Sequence, residues 1–445
     1  MHNSPQYETG RPQAPTFFLA VFQCFLELLT NNMQINLTAR CRAPARFKPA
    51  LIMILAALAP GAGHADPEDS LNFAIGATLR HEDNFFRLPS SSAAPNVGAG
   101  NSSSKSDLIA TTYAGIRVDK SYALQRFQLD VTATNYSYRS NDFLNFSALD
   151  YRGAWLWSLT PRLTGTLSAD RTTELTSYAN LLNTNVRNKR TNENQRLMAD
   201  WWLTGSWHLT GGVYHQRSEG QNTQQTAEGD YDQNTGEFGI RYVSPANNSI
   251  AAVHRETRGD YLGRSLDFVN LLDTQYRQSE NELRSIVQVT GHSLLDLRLG
   301  LVDRSYDHFS QRDYSGAVGE LAYRWTPTGK LNIALAGGRN LVAYQEAGNS
   351  YYASKYIRLT PEWLVTDKTT IRLRLDVAQN DYRGAVRPVT TLREDTIRTL
   401  QFGLNWRPTR TITVDGYLTH EQRSSNISGA DYDANVAGVT AALLF

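Results

Sequence analysis

From about residue 66 onward, apolar and polar residues alternate along the chain with a period of two. Phe127, Leu129, Val131 and Ala133 are interleaved with Gln128, Asp130 and Thr132, and Leu163, Gly165, Leu167 and Ala169 with Thr164, Thr166 and Ser168. Leu295, Leu297, Leu299 and Leu301, then Ile371, Leu373, Leu375 and Val377, repeat the pattern. In an extended strand such sets point to opposite faces. Helical periodicity is weak in the same region, so the pattern predicts an all-β chain. A soluble sandwich would turn the apolar face to a core. A membrane barrel would turn it to lipid and line a wet lumen with the other face.

The connections favour the barrel. Short turns are expected near Lys120-Ser121, Thr160-Pro161, Thr204-Gly205, Pro245 to Asn248, Gly291-His292, Thr326 to Gly329, Thr366-Asp367 and Arg407-Pro408. Longer polar connections fall between them, at about 81–106, 139–147, 176–190, 219–230, 260–275, 305–312, 345–350, 384–393 and 424–430. Long loops at one end and short turns at the other predict a transmembrane antiparallel up-and-down outer-membrane β-barrel of about 18 strands, each spanning with about 10 residues. Closure also removes the unpaired strand edges that lipid makes costly.

The aromatic residues sort along these strands. Trp155, Trp157, Trp201, Trp202, Trp207, Trp325, Trp363 and Trp406 all lie close to short turns, which reads as a girdle at one membrane interface. Tyr136, Tyr138, Tyr178, Tyr214, Tyr306, Tyr344, Tyr382 and Tyr432 lie near the loop ends and read as the opposite girdle. The chain ends in an alternating segment closed by Phe445, which is similar to the signal read by the outer-membrane barrel assembly machinery.

Composition narrows the class further. No apolar run after residue 65 is long enough for a membrane helix, which excludes a helical bundle. A formal net charge of +1 argues against a nucleic-acid binder. Arg40, Arg42, Arg46 and Lys48, the apolar run from Pro49 to Ala59 and the small residues Gly63 and Ala65 make up a secretory signal over residues 33–65, with cleavage after Ala65. Residues 1–32 precede that signal and are read as a start-site over-extension. Residues 66–445 then form a single barrel domain. Cys24 and Cys41 both precede Ala65, so the exported chain has no disulfide and no thiolate site. Its histidines show no metal-ligand spacing, no nucleophile elbow stands out, and no cofactor is expected.

Several segments carry a family likeness: His81-Glu-Asp-Asn-Phe-Phe-Arg87, Tyr151-Arg-Gly-Ala-Trp-Leu-Trp157, Asn248 to Arg255 with Arg258-Gly-Asp-Tyr261, Asp307 to Gly316, and Asp381 to Val386. Over most of residues 66–445 the chain resembles the EpsL family, outer-membrane proteins of exopolysaccharide clusters linked to exosortase/PEP-CTERM systems. The resemblance implies a non-enzymatic role in exopolysaccharide biosynthesis and export. It also implies outer-membrane lipid, the exopolysaccharide and a periplasmic polysaccharide-export protein as partners.

The residues expected to line the lumen and touch the polymer are Arg126, Asp130, Arg162, Asp170, Asp296, Arg298, Glu320, Arg324, Arg358, Arg372, Arg374, Asp376 and Asp415. Such a mixture of signs could pass sugar hydroxyls from group to group. It could equally be an arginine–acid lattice that satisfies its own charge, and the sequence leaves the two open. A general or small-solute porin is the alternative function, and a long constriction loop folded into the lumen with segregated charges would mark it. A plugged structural anchor and a polymer-modifying barrel enzyme are further alternatives.

Overall fold

The computed structural model describes residues 70–93, 104–180, 187–221 and 228–445. The signal segment, its cleavage site and residues 1–32 lie outside the described residues. Eighteen strands follow one another: β1 (Leu71–Glu82), β2 (Asp107–Tyr122), β3 (Gln125–Tyr138), β4 (Phe146–Thr160), β5 (Leu163–Leu175), β6 (Lys189–Thr204), β7 (Trp207–Gly220), β8 (Tyr231–Val243), β9 (Ser249–Tyr261), β10 (Gln275–Thr290), β11 (Ser293–Tyr306), β12 (Tyr314–Thr328), β13 (Leu331–Glu346), β14 (Asn349–Thr366), β15 (Thr369–Arg383), β16 (Glu394–Trp406), β17 (Ile412–Ser425) and β18 (Tyr432–Leu444). Each pairs antiparallel with its neighbours in sequence, and β1 pairs with β18, so the sheet closes on itself. Phe73 and Phe445 exchange backbone hydrogen bonds of 2.6 and 2.9 Å at the end of that closing ladder.

The expected rhythm of short turns and long loops is present, with two differences. The turn between β2 and β3 is Ala123-Leu124, later than the Lys120-Ser121 expected, and Ala123 takes a positive φ of 51° to make it. The stretch 345–350, expected as a long loop, is a tight turn at Ala347-Gly348 that joins the two long strands β13 and β14.

The ladders fix which residues face out. Leu79, Leu129, Val213, Ile240, Leu301, Ile357 and Leu400 all point away from the lumen, and Leu301 is 64% exposed. A soluble sandwich would bury such a belt. Here it forms a continuous apolar surface, the one a barrel offers to lipid. The strands are longer than the ten residues expected. A 14-residue strand such as β3 extends about 46 Å at ~3.3 Å per residue. Tilted, it still exceeds the ~25 Å apolar band of a transmembrane barrel.

The excess length is polar on its outer face. On β7 the outward residues change from Trp207, Leu209 and Val213 to His215, Arg217 and Glu219; on β9 they change from Ile250 and Ala252 to His254, Glu256 and Arg258. Three cross-strand pairs mark this boundary. His215 Nδ1 lies 3.1 Å from Asn234 Oδ1, His254 2.9 Å from Asn281, and His420 2.9 Å from Asn435. Each pair is directly opposite in register.

Seven of the eight tryptophans have the outward parity at the short-turn end. Trp202 does not: it shares the lumen face with His208, stacks on that ring, and donates to Gly205 O at 2.7 Å. The tyrosine girdle is overturned more completely. Tyr136, Tyr138, Tyr214, Tyr306, Tyr344, Tyr382 and Tyr432 have the parity of the lumen face, and Tyr178 is buried in a loop cluster with Phe85 and Phe86. Inward tyrosines can lie flat where the residue opposite is glycine. Tyr113, Tyr276 and Tyr417 cover Gly76, Gly259 and Gly438, and a Cβ at any of these three would strike the ring.

Candidate functional site

The wall formed by β8 to β11 carries a closed charge network. Glu237 accepts from Arg255 and Arg284, each at 2.9 Å. Glu280 accepts from Arg255 at 2.7 Å and Arg298 at 3.0 Å. Glu282 pairs with Arg284 at 2.5 Å and also with Arg298. These three arginines and three glutamates satisfy one another, with the carboxylates almost wholly buried beneath the guanidiniums.

Beside this wall, at the β12–β13 seam next to β11, the barrel departs from a simple cylinder. The β12–β13 ladder runs from Thr328↔Leu331 only as far as Gly319↔Arg339. Above it, β12 stays paired with β11 up to Tyr314, while β13 continues with β14 alone. Gly337 and Gly338 stand in the last rungs before the separation. Without a Cβ at Gly338 the β13 backbone can approach Gly319 O closely. The upper β13–β14 hairpin then tucks inside β12. Leu341 lies against Gly316 on the lumen face of β12, and Ala353, which shares a strand face with lipid-facing Ile357, is fully buried.

Arg312, in the β11–β12 connection, holds the hairpin tip there. It is completely buried. Its guanidinium donates to Leu271 O at 2.9 Å and Asn270 O at 2.6 Å in the β9–β10 loop. It also donates to Glu346 O at 3.1 Å and Asn349 O at 2.9 Å in the tip. Burial lowers its pKa from the ordinary arginine value, yet a guanidinium stays charged in any case. Arg264, from the β9–β10 loop, donates to Gln345 of the tip and lies 3.9 Å over the Tyr261 ring. Asp273 braces the same region from below. Its carboxylate, fully buried, accepts the backbone N–H groups of His308 at 2.5 Å and Phe309 at 3.2 Å.

Between the tip and the charged wall lies a polar cavity of about 610 Å³. Arg196, Gln233, Tyr276, Glu280 and Arg304 line one side, and Leu341, Val342 and Ala343 of β13 the other. This narrowed lumen is the candidate functional site. Among the described residues no cluster of histidine, cysteine and acid is suited to a metal ion.

The residues singled out from sequence are distributed differently. Arg126 pairs with Asp119 at 2.6 Å, and Asp130 with Arg117 at 3.1 Å. Asp170 accepts from Asn194 at 2.9 Å, and Asp415 from Asn405 at 2.6 Å. Arg358 and Arg374 share Asp376, at 2.5 and 3.0 Å, Arg372 pairs with Glu362, and Glu320 accepts from Tyr356. Arg162 sits at a short turn, 5.6 Å over Trp202. Asp296 and Arg324 have no ion-pair partner among the described residues. Of the thirteen, only Arg298 lines the narrowed cavity. Arg304, Arg196, Arg312 and the hairpin tip were not singled out. The parity of β6 and β11 places Arg196 and Arg304 on the lumen face. Nothing in the sequence marks a loop arginine such as Arg312 as a clamp.

Near the short-turn end His208 Nδ1 lies 2.7 Å from Asp200, whose other oxygen is held by Arg241 at 2.5 Å. Among the described residues the hydrogen-bond partners of His208 are Asp200 and, at 3.5 Å, Arg241.

Residues 289–445, which include β11 to β18, match the family described as "Putative beta-barrel porin 2". This barrel is porin-like and belongs in the outer membrane. No curated protein sequence matches the chain. Similar solved structures include Pseudomonas aeruginosa OccK2 (OpdF), crystallised in complex with glucuronate. It is 14% identical, with 84% of this chain and 98% of that chain covered at a TM-score of 0.48. Pseudomonas aeruginosa OpdK is 13% identical, with 85% and 100% covered at 0.46, and OpdQ from the same organism 11% identical, with 84% and 97% covered at 0.47.

Proposed function

We propose that this porin-like barrel is an outer-membrane channel for small polar solutes. The observation that carries the proposal is the β13–β14 tip, tucked inside the wall and clamped by buried Arg312, which leaves a polar passage beside it. An inward-folded constriction is the feature that separates a solute channel from an open conduit. Neutral and charged side chains around the cavity offer hydrogen bonds to a hydrated solute without a single dominant site.

A second reading is the exopolysaccharide conduit implied by the EpsL resemblance, with a periplasmic export protein docked at the short-turn end. The unladdered β12–β13 seam and the glycine pair beneath it favour it, because they would let the tip swing out for a polymer.

The test is planar-bilayer conductance and liposome swelling with the refolded chain lacking residues 1–65. Steady conductance, swelling in small sugars and exclusion of oligosaccharides support the solute channel. Block by purified exopolysaccharide added at the short-turn side would favour the conduit. Silence from a barrel whose fold is verified by heat-modifiable gel mobility would overturn both.

A further inference from the structure

We infer that the narrowed lumen selects small organic anions, hydroxylated carboxylates above all; the inference rests on the channel reading. The arginines around the passage fall into two classes. Arg255, Arg284 and Arg298 are cancelled by Glu237, Glu280 and Glu282. Arg196, Arg264, Arg304 and Arg312 have no ion-pair partner among the described residues.

Tyrosine rings and neutral acceptors hold several of these cations instead. The Arg304 guanidinium lies 3.5 Å from the Tyr276 ring centroid and donates to Gln278 Oε1 at 3.3 Å and to Tyr261 Oη at 3.2 Å. Arg196 lies 6.0 Å over the Tyr214 ring, and Arg264 lies over Tyr261. A π-face or a neutral oxygen stabilises a guanidinium without cancelling its charge, whereas a carboxylate would cancel it. Each ring therefore fixes a cation in place and leaves its field in the lumen. Arg196 and Arg304 line the cavity itself; of the two acids in the lining, Glu280 is paired with Arg255 and Arg298, and Glu228 is the one that opposes them. A narrow passage with low-dielectric walls focuses such a field. Guanidinium geometry suits a carboxylate, and Asn194, Gln216, Gln233, Thr235 and Thr257 in the same lining suit hydroxyls.

The test is the zero-current potential of single channels in a KCl gradient, followed by block of the current by gluconate and by uncharged glucitol. We expect chloride to be favoured over potassium by about 3-fold or more, and gluconate to block where glucitol does not. Arg196→Gln with Arg304→Gln should bring the permeability ratio towards unity and weaken gluconate block about tenfold. Glu228→Gln, which leaves every arginine in place, should raise the ratio instead and guards against a misfolded double variant. A cation-selective channel, or a ratio indifferent to both changes, would overturn the inference while leaving the channel reading intact. A folded barrel without conductance would overturn the channel reading and this inference with it.

Discussion

The rings of Tyr314 and Tyr351 stack 4.5 Å apart, with their planes within 23°, although their strands present them to opposite sides of the wall. Tyr314 is opposite Arg304 on the lumen face of β12. Tyr351 shares its strand face with lipid-facing Ile357. The two can meet only because the upper hairpin lies inside β12. Replacing Tyr344 to Ser350 with a two-residue glycine turn should therefore widen the passage and raise single-channel conductance, by ~2-fold or more if the tip is the main obstruction in the lumen. Heat-modifiable gel mobility should be unchanged, because the β14–β15 ladder and the lower β12–β13 rungs remain. An unaltered conductance would show that the constriction lies elsewhere.

Arg312 joins two connections through four backbone carbonyls and no carboxylate. Arg312→Met fills similar volume but leaves those acceptors buried without a donor, a penalty of roughly 3 kcal/mol confined to the outer end. The expected outcome is a barrel of normal mobility whose β9–β10 loop and β13–β14 tip become sensitive to protease and whose current becomes noisy. Arg312→Lys should recover little, since an ammonium cannot reach both sides of the clamp at once. Equal protease resistance in wild type and Arg312→Met would sink the clamp.

The barrel was legible from the sequence because lipid imposes a simple rule on every strand. Phe127, Leu129 and Val131 must face out, and their polar neighbours then face in. The same parity already placed Tyr136 and Tyr138 on the lumen side with Asp130, against a girdle. Their position near loop ends gave the wrong impression, and the His–Asn pairs occupy the boundary instead. The tucked hairpin was not legible, because leaving the wall does not disturb alternation along β13 or β14. Only Gly337-Gly338 hinted at a break. The charge lattice was half legible. Arg298 could be assigned to the lumen, but which acids would cancel it depends on register across β8 to β11.

Asp273 makes the outer clamp pH-dependent. Burial pushes its carboxyl up, but the N–H groups of His308, Gln275 and Thr274 outweigh that and hold it below the ordinary 3.8. A depressed carboxyl contributes stability that is complete above its unfolded value and is lost as pH falls through its folded value. The β9–β10 loop should accordingly resist proteolysis at neutral pH and loosen in a window below 3.8, with about 1–2 kcal/mol at stake. Limited digestion with an acid-active protease across that range measures it. Asp273→Asn should already be loose at neutral pH and should show no further change on acidification. A wild-type cleavage rate that stays flat below 3.8 would refute the assignment.

Glu282 separates the structural role of the charge lattice from its electrical one. Its carboxylate is fully buried and serves Arg284, Arg298 and, at 3.6 Å, Arg255. Glu282→Gln keeps the shape and one acceptor oxygen but removes a charge from a balanced set of three and three. Two effects should follow. The wall loses buried pairing, at a cost of roughly 3 kcal/mol, which a lower urea midpoint for unfolding from lipid would report. The lumen gains an uncancelled guanidinium, which should raise the chloride-to-potassium ratio in the same direction as Glu228→Gln. If the lattice served only to satisfy its own charge at a point sealed from the ion path, the midpoint would fall and the ratio would stay fixed. A shift in both would mean that permeating ions sense the wall on which Glu282 lies.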